Sequence, residues 1–278
     1  MSQPLRGRFK VTETTGEGGL PKLEVLTPWS RAEIYLHGAH LSHFQRLGEE
    51  PLLFLSRKAV FDGKKPIRGG VPVIFPWFGP KEGSPSHGFA RTTEWIFAGV
   101  EESREGAVTV RMELPEMTDP KGLPSFSLEY ILTIGEHLQL ELRTTNGSDY
   151  QTLDFENCLH TYLHIGDIRQ VSVTGLQGRE YLDNLEGLTR KTETPGEIRF
   201  DSEVDRVYVD TPDTVEITDP VLKRRIMIEK ENSLSTVVWN PWVEKSAGFA
   251  DMAPDEYAGF VCVESGNAKT NRVQLTSG

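Results

Sequence analysis

The stretch LDFENCLHTYLHIGD, Leu153 to Asp167, decides how the chain is read. Its odd-numbered positions, Leu153, Phe155, Asn157, Leu159, Thr161, Leu163 and Ile165, are mostly apolar. Its even-numbered positions, Asp154, Glu156, Cys158, His160, Tyr162 and His164, are polar or reactive. Side chains alternate between the two faces of a strand, so the pattern predicts a strand with one face in a core and the other at a cleft. A helix stays open, because Phe155, Leu159 and Leu163 also share a helical stripe. On a helix His160 and His164 would sit one turn apart, a spacing that can hold zinc.

The surroundings favour the strand. LEVLTP, AEIYLHG, AHLSHFQRLG and PLLFLS fill the first 56 residues between Gly, Pro and Ser turns. AVTVRMEL, FSLEYILTIG, HLQLELRTTN, DRVYVD, TVEITD, RRIMIEK and STVVWNP have the same short, β-branched character. Helical periodicity is confined to a short candidate at EKSAGFADM, Glu244 to Met252. Many strands without intervening helices predict an all-β, mostly antiparallel sandwich rather than a parallel α/β fold. No linker or internal repeat divides the chain, which predicts a single domain over residues 1–278.

Composition narrows the function classes. The formal charge of −11 argues against a nucleic-acid binder, whose footprint is basic, but allows a local anion site. No long uncharged apolar run predicts a membrane span. The start, MSQPLRGRFK, lacks the apolar core of a signal peptide. The two cysteines, Cys158 and Cys262, are too few for a disulfide scaffold. Together these features predict a cytoplasmic protein with reduced thiols.

Two further segments carry chemistry. In YAGFVCVESGN, Phe260, Cys262 and Glu264 share one face and Val261 and Val263 the other. A carboxylate on so apolar a strand is costly to bury, so Glu264 needs a partner or a task; a turn cap or an arginine pair would serve equally. The segment RGGVPVIFPWFGPKEGSPSHGFAR runs from Arg68 to Arg91 through Trp77 and Phe78. Aromatic faces can stack on a sugar ring and guanidinium groups can grip phosphate, although such aromatics also fill cores.

Five blocks in order, RGGVPVIFPWFGP, HGFAR, CLHTYLHIGD, EVDRVY and CVESGN, resemble the D-hexose-6-phosphate 1-epimerases of the aldose 1-epimerase-like superfamily. They extend from residue 68 to residue 267. The resemblance implies a galactose-mutarotase-like β-supersandwich. It places the catalytic histidine on His160 and the catalytic glutamate on Glu264. It also implies sugar and phosphate contacts at Arg68, Arg91 and Asp205, with His87 lining the site. Ser86 stands where many relatives have Gln, which implies a shorter or water-mediated contact. Ser265 stands where the family has Pro, which should loosen a turn after Glu264. NRVQLTSG ends where relatives continue through another strand, which leaves the last sheet edge open.

The chemistry this implies is anomer interconversion by ring opening. The C1 hydroxyl loses a proton while the ring oxygen gains one, which needs one base and one acid. Glu264 is expected to be the base and protonated His160 the acid, with no metal and no cofactor. They should titrate near ordinary values, about 6.5 and 4.3. A nearby phosphate and Glu264 itself should raise the histidine. The partner expected is a small hexose 6-phosphate, bound by a monomer. Three rival readings stay in play: a non-catalytic sugar-phosphate-binding or regulatory protein on the same fold; a glycoside hydrolase pairing Glu264 with Glu156 or Asp154; and a metal site of Cys158, His160, His164 and Cys262. His164 is otherwise a bystander.

Overall fold

A computed structural model describes residues 9–116 and 122–277. The pairings between its strands are antiparallel throughout. Two four-stranded meanders come early: Lys10–Thr15, Pro21–Leu26, Ser30–Tyr35 and His40–Arg46, then Ile96–Glu102, Val108–Glu113, Phe126–Ile134 and Leu138–Asn146. An eight-stranded sheet carries the cleft. Its central strands, in spatial order, are Val204–Tyr208, Ser235–Asn240, Phe260–Asn267 and Asn157–Leu159, with Val73–Ile74 at one edge. Tyr162–His164 also pairs with Phe260–Asn267. No helix among the described residues is long and apolar enough to cross a membrane.

The large sheet separates two apolar clusters. One face contributes Leu159, Leu163, Val238, Val261 and Val263 to the main core. The other contributes Cys158, Tyr162, Val207, Val237, Trp239, Phe260 and Cys262 to a smaller cluster, which forms the floor beneath the cleft. The alternation expected for YAGFVCVESGN is therefore observed, with Phe260 and Cys262 on the cleft face. In the opening stretch the odd positions Leu153, Phe155, Leu159, Leu163 and Ile165 all enter the main core.

Several expectations are corrected. The stretch from Leu153 is three short strands, Leu153–Phe155, Asn157–Leu159 and Tyr162–His164, and the first pairs with Val273–Leu275 in a separate two-stranded sheet. PLLFLS makes only isolated bridges, Leu53 with Leu163 and Leu55 with Gly69. The helix near residue 244 is Trp242–Ala247, six residues, and closes at Gly248. No turn follows Glu264: the strand runs on to Asn267, with Ser265 paired to Leu159 and Thr236. Ladder bonds on both sides hold that strand without a proline.

The segment from Arg68 to Arg91 is both core and cleft wall. Phe75 is fully buried and packs on Phe89, Phe126 and Phe155. Of the two roles open to Trp77, sugar stacking or core filling, it takes the second, edge-on to Phe89, with its indole N–H donating to the Pro85 carbonyl. Phe75 bridges to Gly88 and so pins the HGFAR turn. Gly88 has φ of 74°, and a Cβ there would lie 1.9 Å from the Phe75 carbonyl oxygen. Gly88→Ala is expected to destabilise the fold by more than about 1 kcal/mol, read as a lower urea midpoint at unchanged m-value.

Candidate active site

His160 falls in the two-residue gap between Asn157–Leu159 and Tyr162–His164. Leu159 pairs with Ser265 and Tyr162 with Cys262, so the register is the same on both sides of the gap. It sets His160 opposite Glu264. The His160 amide donates to the Pro72 carbonyl and the Thr161 amide to the Leu159 carbonyl, so a tight turn replaces the ladder bonds here. The result is His160 Nδ1 at 3.3 Å from Glu264 Oε1, close but without hydrogen-bond alignment. Tyr162 stacks on the imidazole, with centroids 4.8 Å apart and planes 11° apart, and Trp239 meets it edge-on at 5.7 Å.

Glu264 is buried, and the His160 side chain is largely so at 12% exposed. Burial pushes the Glu264 carboxyl well above the usual range, and the hydrogen bond from Cys158 offsets only part of that. Burial likewise pushes His160 well below its ordinary value, helped by His87 and the nearby Arg91 and Arg68. The expectation of a raised histidine is overturned for the free protein: desolvation and two guanidinium groups outweigh one carboxyl that burial holds protonated. Both directions favour the uncharged forms, a protonated Glu264 and a neutral His160.

The cleft above this pair has a volume of about 750 Å³. Five cations, Lys65, Arg68, Arg91, Lys245 and Lys269, line it against three carboxylates, Asp205, Asp251 and Glu264. On a chain of charge −11 that is a local excess of positive charge, although Arg68 and Lys245 are already paired with Asp251 and Glu203.

The two expected arginines differ. Arg68 is already committed: its guanidinium meets Asp251 at 3.2 Å and the Tyr162 hydroxyl at 3.1 Å, and lies over the Phe249 ring. Burial opposes its charge, but Tyr162 and Asp251 hold its pKa above the ordinary value. Arg91 has no carboxylate within ion-pair distance among the described residues. Its Nη2 donates to the Ser86 carbonyl and its Nε is buried without a partner. Burial lowers its pKa to about 10.

His87 is tied to Gly79 twice, its amide donating to the Gly79 carbonyl and its Nδ1 accepting from the Gly79 amide. Burial, with Arg91, Lys269 and Arg68 nearby, lowers its pKa to about 3. Neutral, and with Nδ1 used as acceptor, it carries its proton on Nε2. Asp205 lines the cleft beside Trp239, accepting from Asn184 at 2.5 Å. Ser86 does not line the cleft: it is exposed and acts through its carbonyl on Arg91.

Other expected neighbours disperse. Glu156 is a bracket, its two oxygens accepting the amides of Phe78 and Lys269, and neither it nor Asp154 lines the cleft. The carboxylate pair of a glycoside hydrolase is therefore not assembled. His164 opens onto a separate, smaller cavity with His43 and Glu256. Of the metal set, His160 and Cys262 do converge, with Glu264, so that one ligand atom from each lies within 4.8 Å of the others. Burial holds the Cys262 thiol well above its ordinary value and thus protonated.

Tyr162, Trp239, Asp251 and Lys269 complete the cleft and were not singled out from sequence. Tyr162 had a signal, since it shares the even face with His160. Trp239 had a weaker one, in the alternation of STVVWNP.

The family description for aldose 1-epimerase matches residues 25–278. An Escherichia coli protein named "Putative glucose-6-phosphate 1-epimerase" is 36% identical over 268 residues, 95% of this chain and 87% of that one. The crystal structure of a "putative mutarotase" from Salmonella typhimurium superposes with a TM-score of 0.88 at 32% identity, covering 96% of this chain and 89% of that one. A galactose mutarotase-like protein from Clostridium acetobutylicum, at 13% identity and TM-score 0.73, covers 97% of this chain and 95% of that one and shares the fold. Fold and sequence agree, and the chain belongs to the aldose 1-epimerase family.

Proposed function

We propose that the protein interconverts the α and β anomers of a hexose 6-phosphate, glucose 6-phosphate foremost, by acid/base ring opening at His160 and Glu264. The observation that carries this reading is the imidazole facing the carboxyl at 3.3 Å, on the floor of a cleft with an excess of cations. The names of the similar proteins supply the substrate class. Arg91 takes the phosphate, with Arg68 beside it, while Asp205 and His87 Nε2 contact the sugar hydroxyls.

In the productive form the pair's single proton is on His160. Glu264 removes the proton of the C1 hydroxyl as His160 protonates the ring oxygen. The C1–O5 bond breaks and C1 becomes an aldehyde. Rotation about C1–C2 presents the other carbonyl face. Reclosure reverses both transfers, so the pair ends with the one proton it began with.

Phosphate favours this form. The cations near His160 lower its proton affinity in the free protein, and a bound phosphate offsets them. An anion raises the proton affinity of every nearby group. Both limbs of the bell-shaped kcat profile are therefore expected at higher pH with glucose 6-phosphate than with free glucose. Limbs at the same pH for both sugars would remove phosphate from the proton balance.

Exchange between anomeric resonances, followed by NMR on glucose 6-phosphate, galactose 6-phosphate and free glucose, tests the function itself. Faster exchange with the hexose 6-phosphates is expected. Binding without faster exchange would leave a sugar-phosphate binder.

A further inference from the structure

The acid/base scheme uses neither cysteine, yet one of them touches the pair. Cys158 is buried, and its thiol donates to Glu264 Oε2 at 3.4 Å. The carboxyl's other oxygen, Oε1, is the one that faces His160. Among the described residues the thiol is the only hydrogen-bond donor to this carboxyl. The remaining floor on the cleft face, Val237, Trp239 and Cys262, is mainly apolar.

We propose that Cys158 is a positioning residue for Glu264, its S–H fixing Oε2 so that Oε1 is presented to His160 and the substrate. This rests on the acid/base reading of the pair. The fold provides for the contact. Cys158 is opposite Gly266 in the ladder, and a Cβ at Gly266 would come within 2.7 Å of the Cys158 Cα and 2.8 Å of its Cβ. Only a glycine there lets the two strands lie close enough for the thiol to reach the carboxyl. Burial above all, with Glu264 beside it, pushes the thiol well above its ordinary range, so it remains a donor.

A thiol is a weak donor, which suits the task. It steadies the ionised carboxylate enough to let the shared proton move to His160. It is not strong enough to strip Glu264 of proton affinity. The effect of removing it has a definite sign. Without the S–H, ionised Glu264 is less stable and holds its proton more tightly. The basic limb, where the pair loses its last proton, moves to higher pH. Less of the pair carries the proton on His160, so the plateau falls.

The test is the pH profile of glucose 6-phosphate anomer exchange for Cys158→Ala and Cys158→Ser, with Glu264→Gln in parallel. Cys158→Ala is expected to move the basic limb up by roughly 0.3–1 pH unit and lower the plateau roughly two- to tenfold. Cys158→Ser, which keeps a donor and strengthens it, is expected to return the basic limb to the wild-type position or below. If either variant fails to fold by thermal melting, the other carries the comparison with wild type. A plateau that falls while both limbs stay in place marks a merely structural cysteine and overturns the proposal, as does an unchanged profile. If Glu264→Gln remains active, the acid/base reading has failed; if it is inactive while the cysteine variants leave the limbs unmoved, only this inference has.

Discussion

Glu264→Gln is expected to lower catalysed anomer exchange of glucose 6-phosphate by about 10²–10⁴-fold, the usual range for removing a positioned acid or base. The amide fills the same volume but neither accepts nor delivers the C1 proton. Loss of fold is not expected to contribute. The wild-type carboxyl is buried beneath an apolar floor and raised well above its ordinary range, so its ionised form is a cost to the fold. The variant should therefore melt no lower than wild type. His160→Ala should lose activity to a similar degree. The double variant should be little worse than either single one, because two groups that pass one proton act as a unit. A Gln variant that retained a tenth or more of wild-type exchange would sink the mechanism.

Arg91→Met has the second-largest expected effect, and it separates binding from stability. A charge-assisted hydrogen bond to phosphate contributes about 1.5–3 kcal/mol. Loss of Arg91 should thus lower kcat/KM for glucose 6-phosphate roughly ten- to a hundredfold. Free glucose, which lacks the phosphate, should lose no rate, since removing Arg91 also removes a cation that lowers the proton affinity of His160. The melting temperature should stay level or rise. In the free protein Arg91 is a half-buried cation that burial depresses to about 10, with no carboxylate in ion-pair contact among the described residues. Equal losses for both sugars would remove Arg91 from the phosphate site. Arg68 contrasts with it, since its ties to Asp251 and Tyr162 make it a structural member of the wall as well.

Much of this site was legible in the sequence because strands keep residues of like parity together. Cys158, His160 and Tyr162 are on one face, as are Phe260, Cys262 and Glu264, and the constant register joins the two faces. The break after Phe155 was not legible. The alternation runs through it unchanged, and only the partner strand changes, from Val273–Leu275 to Phe260–Asn267. Which of Trp77 and Trp239 meets the cleft was not legible for a similar reason. A loop aromatic between prolines gives no sign of which way it turns, and that choice was made by the packing of Phe89 and the Pro85 carbonyl. The direction of the His160 shift was not legible either, because charged neighbours can be read from spacing whereas depth, its main cause, cannot.

The ladder that joins Asn157–Leu159 to Phe260–Asn267 has a consequence for how activity arises during folding. Cys158 and Glu264 are 106 residues apart in the chain. Closing so long a loop costs conformational entropy before any contact across it is gained. The meanders at residues 10–46 and 96–146 pair strands that follow one another in sequence and can form locally. Half-folded chains can thus be rich in sheet while His160 and Glu264 are still apart. The His160–Glu264 contact therefore forms only once strands far apart in the chain have paired.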